Sequence, residues 1–141
     1  MIEIVNRQRT HKIDGQAWRD FSARALAATA DINRTVTIVF VSDAGIRKLN
    51  QQFRGKDIAT DVLSFPTEAE DFEEANLLHL GEIIISAQRA AAQARENGLT
   101  FRNEVRQLIL HGLLHLCGYD HETDHGEMNR LELKLRRKLK I

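Results

Sequence analysis

Residues 111–121 read HGLLHLCGYDH, with His111 and His115 four apart, Gly118 three further on and His121 three beyond that. On a helix, a spacing of four puts two side chains on one face about a turn apart, so two imidazoles reach a single cation. Gly118 can take a left-handed conformation, which stops the helix and folds the chain back so that His121 supplies a third ligand. Three neutral ring nitrogens leave a fourth position open, as in catalytic rather than structural zinc sites, where bound water has its pKa lowered to about 7. The stretch therefore predicts a helix ending at a metal centre. His111, His115 and His121 are its ligands, for about one Zn2+ or other divalent transition-metal ion per chain.

Outward from this motif the chain alternates between two periodicities. IEIVN at the start, TVTIVFVS (35–42), DVLSF (61–65) and HLGEIIIS (79–86) read as strands, and Pro66, the only proline, ends one of them. Between them lie helical stripes: Trp18, Phe21 and Ala25, then Ile46, Leu49 and Phe53 behind a cap at Ser42 or Asp43. Ser86 opens a third helix that ends at Asn97-Gly98, and Thr100 caps a fourth that carries Val105, Leu108 and Ile109 through to the two histidines. A last helix is expected from Thr123 or Asp124, with Met128, Leu131 and Leu135 on its apolar edge. Strands early and helices late predict a small mixed sheet with helices packed on it, an α+β or α/β layer architecture.

The 141 residues suit a single domain, residues 1–141, and 43% apolar with 28% charged residues is the balance of an ordinary globular chain. No apolar run approaches the ~20 residues that span a bilayer, so no membrane role is expected. The first residues lack the features of a secretory signal and the single cysteine, Cys117, cannot form an internal disulfide, which suggests the cytoplasm. The net charge of zero excludes a global field that recruits nucleic acid, but the charge is unevenly spread. Residues 68–74 carry five acids, while residues 130–141 carry six bases against the one acid Glu132. Those bases suit the C-terminal dipole of a solvated helix and are available to phosphates.

The spacing of the motif matches the His-x3-His-x2-Gly-x2-His frame of the metzincin peptidases, but their general base, a glutamate beside the first histidine, is replaced by Gly112. Met128 also fits the last helix's apolar stripe, which explains it more simply than a peptidase methionine turn. Cys117 falls nearly opposite His115 around the helix and reads as a core thiol, and His11, His79 and His125 have no comparable constellation.

Taken with FRGKDIATDVLSFP (53–66) and LGEIIIS (80–86), the HGLLHLCGYDH motif resembles the YbeY family of bacterial endoribonucleases, in the same order and over most of the chain from residue 40 onward. Glu82 departs slightly, standing where many relatives have aspartate. The resemblance implies an α+β fold with a four-stranded, largely parallel sheet containing one antiparallel strand. It also implies metal-dependent cleavage of single-stranded RNA in small-subunit (16S) ribosomal RNA 3′ maturation and ribosome quality control, with the small subunit and its assembly factors as partners. Within the resemblance, Arg54 is the catalytic candidate besides the ligands, since a guanidinium there clamps a phosphate and stabilises transition-state charge. Lys56 and Asp57 are weaker candidates, Ser64, Phe65 and Pro66 shape the strand end, and Asp120 or Glu104 is a candidate for orienting a ligand imidazole. Two rivals stay open: a metallopeptidase with a base such as Glu122, and a ribosome-assembly binding factor with a structural metal and a fourth protein ligand.

Overall fold

The computed structural model describes residues 1–29, 34–67 and 79–141. The acidic run at 68–74 lies outside them. Four strands, β1 (Ile2–Asn6), β2 (Thr35–Val41), β3 (Val62–Pro66) and β4 (His79–Ser86), form one sheet in the order β1-β2-β4-β3. β1 pairs with β2 and β2 with β4 in parallel, while β3 runs antiparallel along β4 as an edge strand. Among the described residues the helices are α1 (Gly15–Thr29), α2 (Asp43–Arg54), α3 (Ala87–Glu96), α4 (Phe101–Leu116) and α5 (Glu127–Leu139). The fold is α+β with a mixed, largely parallel sheet, as the sequence and its resemblance imply.

The helix starts follow the hydroxyl residues. Ser42, Ser86 and Thr100 each accept a hydrogen bond from the backbone N–H three residues on, satisfying donors that the first turn leaves unpaired. α5 differs from expectation. It begins at Glu127, and Asp124 instead reaches forward to accept from the N–H groups of Gly126 and Met128 at 2.9 and 2.8 Å. The stripe on α2 also needs correction, because Ile46 is fully buried but Phe53 is 60% exposed and meets only the edge of the Phe65 ring.

Alternation along β2 and β4 sends Val36, Ile38 and Phe40 with Ile83 and Ile85 to one face, where they pack on Trp18, Phe21 and Ala25 of α1 and on Val105, Ile109 and Leu113 of α4. The opposite side of α4 presents Leu110 and Leu114 to Met128 and Leu135 of α5. α4 is therefore apolar on two sides, held between the sheet and α5. It also lies close to β4. A Cβ on Gly112 would come within 2.9 Å of Ile83 Cγ2. One on Gly81, whose φ of +146° already disfavours a side chain, would strike the Phe65 carbonyl oxygen and come within 2.9 Å of Leu116 Cδ2.

These contacts predict unequal costs for two glycine substitutions. Gly112→Ala meets a buried side chain rather than backbone, so overpacking of about 1–3 kcal/mol, less about 1 kcal/mol of helix propensity, should leave a folded but less stable chain. Gly81→Ala meets backbone in a strained conformation and should lose about 3 kcal/mol or more. Urea unfolding of both variants checks this, and a Gly112→Ala chain more stable than wild type would disprove the close-packing account.

Candidate metal centre

α4 carries a line of titratable residues that leads to its C-terminal end. Glu104, His111 and His115 are spaced by seven and four residues, so they follow one another along the same face. The helix ends at Leu116, Gly118 takes φ +96°, and the N–H groups of Gly118 and Tyr119 donate back to the carbonyls of His115 and Leu114. That turn brings His121 over the helix end. One nitrogen from each of His111, His115 and His121 lies within 4.8 Å of the others, and the ring centroids are 4.6 to 5.6 Å apart.

The hydrogen bonds of the first two rings test whether a cation fits there. His111 Nδ1 is 2.9 Å from Glu132 Oε1, and His115 Nδ1 is 2.9 Å from the Tyr119 carbonyl oxygen. Both partners are acceptors, so in neutral rings both Nδ1 atoms carry the proton. The two Nε2 atoms are then bare lone pairs, and they face each other at 3.0 Å. Two opposed lone pairs at that distance repel unless a cation lies between them. The separation is close to the ~3.3 Å edge of a tetrahedral site with metal–nitrogen bonds of about 2.0–2.1 Å. Three imidazoles also suit the divalent transition metals, so the residues present fit a metal ion.

Electrostatics favour ligand-ready rings. Burial pushes the His115 pKa down, helped by His111 and His121 and opposed by the Tyr119 carbonyl and Asp120. Burial works to raise Glu132, but the hydrogen bond to His111 and the charges of His111, Arg136 and His115 outweigh it and hold the carboxyl low.

The cleft over these rings, about 430 Å³, is walled by Arg54, by Asp61, Val62, Ser64 and Pro66 along the β3 edge, and by the turn from Gly118 to Glu122. Arg54 closes α2 at the left-handed Gly55, and its Nη2 donates to the Ser64 carbonyl at 3.2 Å, so the guanidinium sits at the sheet edge on the same cleft as the histidines. Lys56 and Asp57 are exposed, and Asp57 pairs with Arg47 at 2.8 Å. Cys117 is half-buried and outside the triad, with burial raising its thiol. His11 stacks on Phe101, His79 bonds Thr35, and His125 is exposed.

Neither acid expected to orient an imidazole does so. Asp120 is exposed and accepts from the Glu122 N–H, while Glu104 is buried further back, where Gln93, turned to suit its neighbours, donates to it at 3.0 Å and to Asp61 at 3.2 Å. The acceptors at the two Nδ1 atoms are Glu132 and the Tyr119 carbonyl. Sequence reasoning missed both. Glu132 had one signal, as the only acid among the six bases of its segment, but nothing in sequence sets α5 against His111. A carbonyl has no sequence signal at all.

The sequence model of the YbeY family, described as Endoribonuclease YbeY, matches residues 3–140. The chain belongs to the YbeY family. It is 39% identical over 136 residues to the Endoribonuclease YbeY of Geobacter metallireducens, covering 96% of this chain and 91% of that protein. It is 47% identical over 109 residues to that of Nautilia profundicola, covering 77% of this chain and 75% of that protein. The solution structure of a Thermotoga maritima protein matches this YbeY-family fold with a TM-score of 0.65 and 33% identity, over 99% of this chain and 89% of that one.

Glu104 generates a test of the buried polar line. Burial lifts its carboxyl above the ordinary value, with Asp61 adding to the rise and Asn97 and Arg136 opposing it. The native chain thus holds that proton more tightly than the unfolded chain. The resulting stability is full below the unfolded carboxyl value of about 4.3 and is lost as pH rises through the raised native value. Relative to Glu104→Gln, the wild-type melting temperature should fall as pH rises above about 4. A gap that stays constant across that rise would contradict the assignment.

Proposed function

We propose that residues 1–141 work as a single metal-dependent endoribonuclease domain. His111, His115 and His121 hold one divalent cation, zinc by first preference, and Arg54 grips the scissile phosphate of single-stranded RNA. The observation that carries this reading is the convergence on one cleft of two opposed Nε2 atoms, a third imidazole and a guanidinium. Membership of the family and the names of its relatives supply the reaction class.

A divalent cation bound there would supply Lewis acidity at a phosphoryl oxygen and a nucleophile at neutral pH. The remaining work falls to side chains. Arg54 spends one N–H on Ser64 and keeps donors for a phosphate, where its fixed charge meets the charge that develops in the transition state. Glu132 and the Tyr119 carbonyl hold the imidazoles of His111 and His115 in one tautomer. Asp61 is anchored by the Val62 N–H at 2.8 Å and by Gln93, which suits it to shaping the cleft wall. A single strand suits the site better than a duplex, because in-line displacement needs a backbone free to rotate beside the β3 edge.

The family resemblance further points to ribosomal RNA as the substrate, in 16S 3′ maturation and quality control in the cytoplasm, with the small subunit and its assembly factors as partners. No helix among the described residues is long and apolar enough to cross a membrane, which accords with that setting. One observation keeps the peptidase alternative in play: Glu122 lines the same cleft. The structural-metal alternative requires a fourth protein ligand, and the metal-capable group among the described residues has three members.

Elemental analysis of the purified chain should find about one zinc or similar ion per chain, since the three-histidine set makes a tetrahedral site lacking one ligand, and His115→Ala should lose most of it. Unchanged metal content in that variant would sink the ligand assignment.

Arg54 and Glu122 separate the two chemistries. Arg54→Ala should lower single-turnover RNA cleavage by about a hundredfold or more with metal content intact and RNA affinity less affected, as for a group that acts in the transition state. Glu122→Gln should stay within a few fold of wild type on RNA. A hundredfold loss in Glu122→Gln, or full activity in Arg54→Ala, would move the chemistry away from a phosphate clamp.

A further inference from the structure

Glu132 is the only acid in the basic segment 130–141, and its surroundings are unusual for a residue of a surface helix. It is 7% exposed, Oε1 faces His111 Nδ1 at 2.9 Å, and Oε2 faces Arg136 Nη2 at 3.6 Å one turn along α5. Arg136 is half-buried, and its Nε has no hydrogen-bond partner among the described residues. Arg136, one of the six bases of this segment, is thus partly engaged by the carboxylate. α5 otherwise grips α4 through Met128 and Leu135, so the carboxylate lies on a firmly packed element.

We infer that Glu132, backed by Arg136, is the positioning residue of the metal centre. It accepts the Nδ1 proton of His111, fixes the tautomer that leaves Nε2 bare, and orients the ring towards His115 and His121. This rests on the metal-centre reading and goes beyond it by assigning a role to α5, an element that supplies no ligand. A carboxylate behind a ligating imidazole also raises the basicity of its other nitrogen, and loss of such a partner typically costs about 10- to 100-fold in metal affinity. Arg136 completes the arrangement, because a buried carboxylate whose imidazole partner is neutral needs a cation nearby to offset its desolvation. His115 needs no such carboxylate, since the Tyr119 carbonyl is delivered by the helix-stop turn itself.

The experiment compares full-length wild type, Glu132→Leu and Glu132→Gln in zinc competition against a chromophoric chelator, with His111→Ala as the marker of a lost site. Leucine removes the acceptor, and glutamine keeps an acceptor oxygen without charge. Glu132→Leu should weaken zinc binding by about 10- to 100-fold, with Glu132→Gln falling between it and wild type. Ring nitrogen shifts of His111 in chelator-treated protein should report the Nδ1-protonated tautomer in wild type and a mixture in Glu132→Leu, a change that a packing role would not cause. Zinc affinity of Glu132→Leu within threefold of wild type would overturn the assignment. So would an unchanged His111 tautomer, or an affinity loss matched by an equal collapse of the chelator-treated melting temperature in both variants. If wild type bound zinc no better than His111→Ala, the metal-centre reading would itself fall, and the role of Glu132 with it.

Discussion

The close approach of α4 to β4 governs the rest of the molecule. Gly112 lies over Ile83, and Gly81 lies under Leu116, so helix and strand meet with little between them at two successive points. Native cores tolerate such contact only where both surfaces are flat enough to interlock, and here each partner contributes one missing side chain. The consequence is positional. Fixing α4 against β4 sets its polar line over the antiparallel edge strand β3, and so sets His111 and His115 opposite Ser64 and the guanidinium of Arg54.

The same constraint explains how a helix with so many buried residues keeps titratable groups beside the cleft. α4 lies between the sheet and α5, and the polar line of Glu104, His111 and His115 escapes both apolar contacts. Groups in that position are partly desolvated and interact more strongly than they would in water. Each has been given a partner: Gln93 for Glu104, Glu132 for His111, the Tyr119 carbonyl for His115. The Nε2 atoms of the two rings are left facing each other. A site of this kind is stiff before anything binds, which is what a metal centre with a preferred geometry requires.

Much of this was legible in the sequence, for reasons that can be named. The four strands were readable because their alternation or continuous apolar character survives in short segments, and the helix starts because Ser42, Ser86 and Thr100 are capping residues in the right places. The triad was readable because its spacing is local, set within one helix and one turn. Errors came where the answer depended on distant packing. Phe53 fits an apolar stripe yet is left exposed, and Arg136 fits a solvated basic face although it is partly engaged by a carboxylate. Glu104 is one of two candidates for orienting an imidazole, yet it lies two turns behind His111 and pairs with Gln93 of α3 instead.

Gly112 then acquires a physical meaning that the motif alone could not give. In the peptidase arrangement, a glutamate beside the first histidine must project towards the substrate side of the metal. Here that position faces the sheet, where even a methyl group comes within 2.9 Å of a fully buried isoleucine. A glutamate would carry a charge into that apolar contact, where burial is costly unless the charge is paired. The absence of the base and the tight seating of the helix are therefore one fact, and the site is left with chemistry that needs no base on the helix. Phosphodiester cleavage assisted by a cation and a guanidinium is chemistry of that kind, because stabilising charge, more than removing a proton, is what such a reaction demands of the protein.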